Sequence, residues 1–306
     1  MIRYFAAAAA LKTFSYGPGM RRLYRSVGNV LGPRRRLRHG LNQNYLNRAR
    51  EFLKRVRKID AIHDGDSLLE LGTGWVHWES TFIRLFYDTR ATLFDVWDNR
   101  QLAALTKYFA DLDQVIDKEI DVRPEERDRV HALLRRVSSA TSFNELYELT
   151  GSKYVINPWG TLDDLPDASF DAIFSCSVLE HVNKELLTEY IRNFERLLKP
   201  GGYSIQTIDI GDHLSYYDDH VSPKHYLKYS DSVWKHWFEN EVQYFNRVQR
   251  SEWLELFQQA GLELVEIEEE LSLVAVSKNS VANQYRNFDE RDLQCTTLKV
   301  VHKKTG

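Results

Sequence analysis

Residues 165–182 read LPDASFDAIFSCSVLEHV, and residues 197–202 read LLKPGG. The apolar run at 171–176 predicts a buried strand. A helix is expected from about 183 to 198, where the Pro-Gly-Gly sequence stops it. A further strand, 203–208, follows directly and ends at an aspartate. Strand, helix and strand in succession predict a parallel sheet with helices on both faces.

The same alternation extends in both directions along the chain. Apolar runs of strand length, separated by helical patterns, predict five more strands, near 67–71, 91–94, 154–156, 262–268 and 293–301. Helical patterns are expected at 42–59, 79–86 and 251–260. The sequence therefore predicts an α/β fold with a mostly parallel seven-stranded sheet.

Two stretches are too long to be ordinary connections in such a sheet. Residues 99–150 are charged and helix-like, whereas residues 210–250 are dense in aromatic side chains. Both are predicted to be insertions in a core domain that spans 61–306. Residues 1–60 are predicted to form a basic helical segment, with breaks at Gly17-Pro18-Gly19 and at Gly32-Pro33.

Charge is unevenly distributed along the chain. Residues 1–58 hold fifteen Lys or Arg and one acid, Glu51, a net charge of +14; the rest carries 26 basic and 43 acidic residues, or −17. Such a split predicts that the basic arm faces an anionic membrane surface, a phosphate-bearing partner or the acidic body of the same protein.

Cysteine usage and hydropathy bear on the compartment. The two cysteines, Cys176 and Cys295, form no disulfide framework and have no metal-type partner spacing, which fits a reducing cytoplasm. No apolar stretch reaches the roughly 18 residues that a membrane span needs. We expect a cytoplasmic protein, with a peripheral position at the inner face of the membrane left open.

A ligand-binding turn is predicted after the first core strand. The sequence Leu-Leu-Glu-Leu-Gly-Thr-Gly at 68–74 places two glycines between a strand and a helix, and glycine permits positive φ and close approach to a ligand. Asp95 ends the second strand, 23 residues beyond Gly72. A carboxylate at that position accepts both hydroxyls of a ribose in nucleoside-binding sheets. Asp98 is a competing candidate.

Taken with these two features, the stretches at 165–182 and 197–202 carry a resemblance to a family. The chain resembles the class I S-adenosylmethionine-dependent methyltransferases of the group with an LP-x-x-SFD…S-x-x-VLEHV…LLKPGG signature. The resemblance covers about residues 65–270 and implies a Rossmann-like methyltransferase fold with S-adenosylmethionine as cofactor. The 61–306 region is then the methyltransferase domain.

The resemblance also implies residue roles. The turn and its preceding acid would hold the methionine part of the cofactor, and two serines after the fourth strand would line the same side. Asp95 would hold the ribose. An acid before Leu165 would contact the adenine. The residues expected in these four roles are Glu70, Gly72, Thr73 and Gly74; Ser175 and Ser177; Asp95; and Asp163 or Asp164. Val76 replaces the third glycine of the family pattern, and the loop at 157–164 is longer than usual. The Asn-Pro-Trp sequence at 157–159 is interpreted as an ordinary loop.

Methyl transfer to a hydroxyl requires a base, because an alcohol must lose its proton as it attacks. His213, close in sequence to Asp209 and Asp212 after the fifth strand, is predicted to be an oriented base. A plain polar loop is the alternative. His181 is a second candidate, although a structural position in the VLEHV turn is the favoured interpretation for it.

The acceptor is less well defined by the sequence. Aromatic residues between 213 and 250 favour stacking on a sugar or an aromatic acceptor, or else form the small core of a lid. The run from Ile208 to Ser251 resembles methyltransferases associated with bacterial surface-polysaccharide assembly, which implies sugar O-methylation on a small-molecule or glycan acceptor. No set of residues has convincing metal spacing, so no metal is predicted, though His213, His220 and His225 leave that open.

Four other functions remain to be weighed. A quinone-like or other small-molecule O- or C-methyltransferase and a non-catalytic cofactor-binding module are alternatives. An RNA methyltransferase is disfavoured, because the body is acidic and no RNA-binding motif is present, so nucleic acid is not expected as a partner. A nicotinamide dehydrogenase is disfavoured because His77 stands where the third glycine of a G-x-G-x-x-G turn is needed. The oligomeric state is left open.

Overall fold

The protein has one seven-stranded sheet flanked by helices. A computed structural model describes residues 1–274 and 276–305. The strand order is β3-β2-β1-β4-β5-β7-β6. The strands are β1 (Ser67–Leu71), β2 (Arg90–Asp95), β3 (Ser152–Ile156), β4 (Phe170–Cys176), β5 (Leu198–Asp209), β6 (Leu262–Leu271) and β7 (Cys295–Lys304).

The sheet is mostly parallel, as the sequence predicts. β1 lies between β2 and β4 and is parallel to both, with Leu69 opposite Thr92 on one side and Ile173 on the other. β2 also pairs in parallel with β3. β6 and β7 are antiparallel. The central strands are apolar along nearly their whole length because helices cover both faces of a parallel sheet.

Eleven α-helices are found in the described part of the chain. They are α1 (Ile2–Ser15), α2 (Gly17–His39), α3 (Gln43–Ile59), α4 (Trp78–Ile83), α5 (Leu102–Glu119), α6 (Arg127–Ser138), α7 (Phe143–Thr150), α8 (Leu187–Leu197), α9 (Asp231–Trp237), α10 (Arg250–Gln259) and α11 (Glu290–Gln294). The 99–150 stretch is thus helical, and the 210–250 stretch contains one short α-helix. None of these helices combines the length and the apolar character that crossing a membrane requires.

Two local predictions were wrong. The break at Gly32-Pro33 does not occur, because α2 continues through Pro33 to His39. A proline removes one backbone donor and weakens a helix without excluding helical φ. The second error concerns β5, which begins at Leu198 and includes the Pro-Gly-Gly sequence that was expected to precede it.

The chain divides into two compact units. The first unit comprises Met1–Gly28, Cys176–Glu195 and Ile205–Thr305, and the second comprises Asn29–Ser175 and Arg196–Ser204. The division at residue 60 between a basic segment and a core domain stays a prediction.

The core of the first unit includes the N-terminal helix. Tyr4 of α1 is fully buried among aromatic residues of the 210–250 stretch, with its ring 5.0 Å from His225 and 5.9 Å from Phe238. Its hydroxyl donates to Asp212 at 2.8 Å. The apolar side of α1 is therefore buried in the core of the first unit.

In the second unit, α3 packs on the core and pairs its basic residues internally. Trp78 lies 5.3 Å from the ring of Tyr45 on α3. On the same helix Arg50 pairs with Glu119 at 2.7 Å and Arg57 with Glu126 at 2.5 Å. Part of the basic arm thus faces the acidic body of the same protein, which is one of the three predicted options.

Candidate active site

The glycine turn of the second unit is closed by its own backbone. Gly72 and Gly74 have φ of +62° and +64°, which explains why glycine is needed at both positions. The amides of Gly72 and Thr73 donate to the carbonyl of Phe94 at 2.9 and 3.3 Å. The predicted contact of these amides with the cofactor's methionine end stays a prediction, and it requires these bonds to be shared.

Asp95 lies directly beside this turn. Its carboxylate accepts from the amide of Gly74 at 3.0 Å and from that of Val96 at 2.8 Å. The residue is 6% exposed, and burial raises its pKa, although the amides of Val96 and Gly74 offset part of that effect. The structure thus brings together the turn and the acid that the sequence singles out.

Glu70, in the strand before the turn, contacts the helix that follows the turn. It is 3% exposed, and its carboxylate accepts from the amide of Ser80 at 3.0 Å, near the N-terminus of α4. Burial, with the nearby charge of Glu79, raises the pKa of Glu70 to about 8. Its visible contact is therefore with the helix that follows the turn.

His77 is a part of this site that the sequence reasoning missed. The residue is fully buried, and its Nδ1 lies 2.8 Å from the hydroxyl of Thr73 in the turn. Its Nε2 lies 3.1 Å from the hydroxyl of Tyr147 on α7, which also accepts from Arg100 at 3.1 Å. Burial lowers the pKa of His77 to about 3, so the ring is neutral. The helical stretch 99–150 thereby supports the glycine turn.

The adenine-side prediction falls on an exposed loop. Asp163 and Asp164 are both exposed. The loop before them folds back on itself, with the side chain of Asn157 donating to the carbonyl of Thr161 at 3.0 Å. A Cβ on Gly160 would lie 3.3 Å from Val96, the residue after Asp95. This places the start of the loop against the ribose-side acid, while the role of the two aspartates stays a prediction.

The two serines after the fourth strand differ in environment. Ser175, in β4, is buried and belongs to the second unit. Ser177 belongs to the first unit and is exposed. It has φ of +55°, and its amide donates to the carbonyl of Thr207 at 2.9 Å. A positive φ at a non-glycine residue is uncommon and marks a tight turn directly after the strand.

In the first unit, Asp209 and His213 lie together as expected for an oriented base. The Nε2 of His213 is 3.6 Å from Oδ2 of Asp209, and Tyr216 donates its hydroxyl to the same oxygen. The amide of Gly211 donates to the other oxygen at 2.8 Å. Burial acts to raise the pKa of Asp209, but His213, Tyr216 and the Gly211 amide outweigh it and lower that pKa. The carboxylate is therefore charged at neutral pH.

His181 and Glu180 join the same cluster. The rings of His181 and His213 are 5.1 Å apart, and Nδ1 of His181 lies 2.6 Å from the carbonyl of Tyr244. Each of Glu180, His181 and His213 offers one potential ligand atom. These three atoms lie within 4.8 Å of one another. Burial, followed by the charge of Asp209, raises the pKa of Glu180 well above its ordinary value. Glu180 was not among the predicted site residues.

The segment 244–246 holds this cluster in place. Phe245 stacks on the His213 ring at 4.6 Å. The amide of Asn246 donates to the carbonyl of Glu180 at 2.8 Å, and its side chain donates to the carbonyl of Leu179 at 2.9 Å. From the sequence, Asn246 has no expected role at this cluster, because its partners lie more than sixty residues away along the chain.

The other two histidines considered for a metal do not join the cluster. His225 packs against Tyr4, its Nε2 lies 3.1 Å from the Tyr229 hydroxyl, and burial lowers its pKa to about 4. His220 lies outside the group of candidate ligands found in the described part of the chain. Of the anticipated His213, His220 and His225, only His213 lies beside other potential ligands.

Comparisons with known proteins agree with this architecture. Residues 37–267 match the protein family described as "Methyltransferase domain". Among curated proteins, no match to the sequence is found. The family match covers more than half of the chain, which therefore belongs to the methyltransferase-domain family.

Solved structures with a similar fold have low sequence identity. One is phosphoethanolamine N-methyltransferase 2 of Haemonchus contortus with S-adenosyl-L-methionine, at a TM-score of 0.46 and 14% identity, covering 84% of this chain and 52% of that chain. This chain thus spans about half the length of that protein. An S-adenosylmethionine-dependent methyltransferase from Methanosarcina mazei has a TM-score of 0.43 and 15% identity. The match covers 81% of this chain and 97% of that chain.

The residues around the glycine turn fit this cofactor. Asp95 accepts backbone bonds on both oxygens, yet a carboxylate has about four acceptor positions, so lone pairs remain for ribose hydroxyls. The positive φ at Gly72 and Gly74 lets the backbone pass close to a ligand. When bound, S-adenosylmethionine supplies a methyl group on a sulfonium that is already an activated leaving group.

Proposed function

We propose that this protein transfers a methyl group to a hydroxyl of a small-molecule or glycan acceptor, with a sugar hydroxyl as the preferred substrate. The observation that carries the proposal is the pairing of His213 with Asp209 at 3.6 Å. A hydroxyl acceptor needs a base, whereas an amine with a free lone pair does not. A charged aspartate beside the imidazole holds it in place and stabilises the protonated ring.

The roles of the individual residues follow from their contacts. His213 takes the proton from the acceptor hydroxyl, and Asp209 is the positioning residue for its ring. Phe245 stacks on the ring at 4.6 Å and restricts its rotation. In the second unit, Asp95 binds the ribose and the turn at 72–74 binds the methionine end. Ser175, Ser177, Asp163 and Asp164 are proposed to complete the cofactor site.

Aromatic side chains in the first unit support a sugar as the acceptor. Tyr216, Tyr217 and Trp237 are exposed, at 63%, 42% and 64%. Flat amphipathic rings at a surface suit the apolar faces of pyranose rings. Most other aromatics of the 210–250 stretch are buried in the core with Tyr4 and serve the packing of the unit.

The acceptor class is tested with purified protein, cofactor labelled on its methyl group and a panel of acceptors. The panel contains neutral and acidic oligosaccharides, nucleotide sugars, a quinol, a phosphoethanolamine, a protein mixture and RNA. We expect label in the sugar-containing fractions, with a product stable to mild base as an ether is. Label confined to the quinol, amine, protein or RNA fractions would refute the sugar assignment.

We also propose that α2 contacts an anionic membrane surface. On the part of α2 that belongs to the second unit, Arg34, Arg35 and Arg38 are exposed, together with Leu31 and Leu37. Basic residues interleaved with exposed apolar ones are typical of a peripheral helix. α1 and α3 do not offer such a surface, because their apolar sides are buried.

Vesicle sedimentation tests this contact. The protein should pellet with phosphatidylserine vesicles and remain in solution with phosphatidylcholine vesicles, because each basic residue near an anionic surface contributes about 1 kcal/mol. A variant with Arg34, Arg35 and Arg38 changed to Gln should lose the difference. Equal pelleting with both lipids would rule out the membrane role.

A further inference from the structure

We propose that Glu180, His181 and His213 form a binding site for one divalent metal ion of the Zn²⁺ class. Each side chain offers a ligand atom, and the three atoms lie within 4.8 Å of one another. One carboxylate and two imidazoles are a ligand set that Zn²⁺ takes in catalytic sites, where a fourth position stays open for water or substrate. All three residues belong to the first unit.

The environment of Glu180 is an independent observation that points to a cation. The residue is 2% exposed, and within residues 1–274 and 276–305 neither carboxylate oxygen has a hydrogen-bond partner. The amides of Glu180 itself and of Asp209 are nearby, but neither makes a full hydrogen bond to the carboxylate. A negative charge on a buried carboxylate without a partner is unfavourable. A bound divalent ion would offset that charge.

The charge of Asp209 adds to the same need. Asp209 lies in the same cluster, with its Oδ2 3.6 Å from Nε2 of His213. Two carboxylates at close range are stable together when a cation lies between or beside them. Hydrogen bonds from Gly211 and Tyr216 hold Asp209 in place, so it can serve as an outer partner of the ion without moving.

The two imidazoles are set up as ligands. A carbonyl only accepts hydrogen bonds, so the 2.6 Å contact of His181 with the Tyr244 carbonyl places the hydrogen on Nδ1. The lone pair of His181 is therefore on Nε2, the arrangement in which metal-bound histidines usually occur. In the described part of the chain, the buried Nε2 of His213 also has no hydrogen-bond partner. Phe245 supports the ring of His213 from one face.

The ligand chemistry selects the class of ion. Imidazole nitrogens suit Zn²⁺, Co²⁺, Ni²⁺ and Fe²⁺, whereas Mg²⁺ and Ca²⁺ prefer oxygen ligands. Bond lengths of about 2.0–2.1 Å require neighbouring ligand atoms of a tetrahedral site to be about 3.3 Å apart. Ligand atoms as far apart as 4.8 Å would therefore move closer together on binding.

The consequence for catalysis rests on the proposed hydroxyl methylation. In the metal-free protein His213 is the base; with an ion bound, His213 would be a ligand, and the ion would activate the acceptor by lowering the pKa of a hydroxyl that coordinates to it. The O–H bond then breaks with the proton passing to Asp209, and no redox step is involved. Metal binding itself does not depend on the identity of the acceptor.

The test uses tag-free, chelator-treated full-length protein titrated with Zn²⁺ by calorimetry, and with Co²⁺ by visible absorption. We expect one equivalent to bind the unaltered chain. Glu180→Gln, His181→Gln and His213→Gln should each weaken the affinity by about 100-fold or more, because even outer-shell changes cost 10–100-fold. Glu185→Gln and His236→Gln are matched controls at exposed positions and should leave affinity unchanged.

Three results would overturn the site. They are no stoichiometric binding by the unaltered protein, equal affinity in Glu180→Gln, and equal losses in the control variants. Thermal denaturation of each variant without metal verifies that it is folded. The same samples are titrated with S-adenosylmethionine and assayed on the acceptor panel. Sugar methylation without Zn²⁺ binding would refute the metal site alone, whereas Zn²⁺ binding without hydroxyl methylation would refute the proposed function alone.

Discussion

Glu70 and Glu180 are both buried glutamates, one in each compact unit, and they differ in what surrounds the carboxylate. Glu70 is 3% exposed and accepts from the amide of Ser80 at 3.0 Å. Glu180 is 2% exposed, and no group of the described residues makes a hydrogen bond to its oxygens. The two side chains are thus about equally buried, but the carboxylate of Glu70 has a hydrogen-bond partner and that of Glu180 has none among the described residues.

The comparison shows that hydrogen-bond partners, more than burial, distinguish a carboxylate that supports the fold from one that can bind a ligand. Glu70 holds the start of α4 beneath the glycine turn, and the fold supplies its hydrogen bond. Glu180 lies in a turn that Asn246 fixes at three carbonyls, so its position is well determined, while its side-chain oxygens have no hydrogen-bond partner among the described residues. A buried polar group that the protein leaves unpaired is a good indication of a ligand.

The largest effect is expected from a change at Asp209, which positions the proposed general base His213 in the first unit. Asp209→Asn should lower kcat by about 100-fold or more, because a positioned general base contributes about 10²–10⁴-fold. Affinity for S-adenosylmethionine should not change, so the loss appears in kcat and not in cofactor binding. Steady-state kinetics and cofactor calorimetry check this, with exposed Asp219→Asn as control. A loss of cofactor affinity equal to the loss in kcat would contradict the assignment.

The next effect concerns the cofactor acid. Asp95→Ala should weaken S-adenosylmethionine binding by about 10- to 100-fold, since a hydrogen bond to a charged group is worth about 1.5–3 kcal/mol. Asp98→Ala is the matched control, because that side chain is exposed and paired with Arg100 at 2.7 Å. If calorimetry gave the larger loss for Asp98→Ala, the competing acid would be the ribose ligand.

Glu70 provides a smaller, pH-dependent effect. Its pKa is raised to about 8 in the folded protein, so its contribution to stability is complete below the unfolded value near 4.5 and is lost as pH rises through about 8. Glu70→Gln keeps an acceptor for Ser80 and removes the titration. Urea unfolding should show the variant more stable than the unaltered protein at pH 8.5 and close to it at pH 5. Parallel pH profiles for the two proteins would show that Glu70 does not titrate in this range.

Tyr147→Phe should have the smallest effect. The change removes one hydrogen bond to His77 and one from Arg100, while the ring and its packing remain. Because each hydrogen bond contributes about 0.5–1.5 kcal/mol, loss of the two should lower the unfolding free energy by about 1–3 kcal/mol and cofactor affinity by a few-fold. Full cofactor affinity with an unchanged unfolding midpoint would show that α7 does not support the turn.

Local features of the sequence predicted the fold well. The strands at 67–71 and 171–176 were placed to within one residue, because each is an apolar run bounded by turn residues. The pair formed by Gly74 and Asp95 was also predicted, since the ends of neighbouring parallel strands meet at one edge. The boundary at Gly32-Pro33 could not be judged locally, because tertiary packing decides whether a helix tolerates a proline.

By itself, the sequence predicted the order of strands and helices along the chain, the glycine turn with Asp95, and a histidine at 213 close to Asp209 or Asp212. Only the tertiary structure brought Glu180 and His181 to His213 and set Tyr244, Phe245 and Asn246 around them. The physical reason is that periodicity and spacing report contacts within one element and its neighbours. A side chain's unmet hydrogen bonds depend on every segment packed around it, and those segments come from distant parts of the chain.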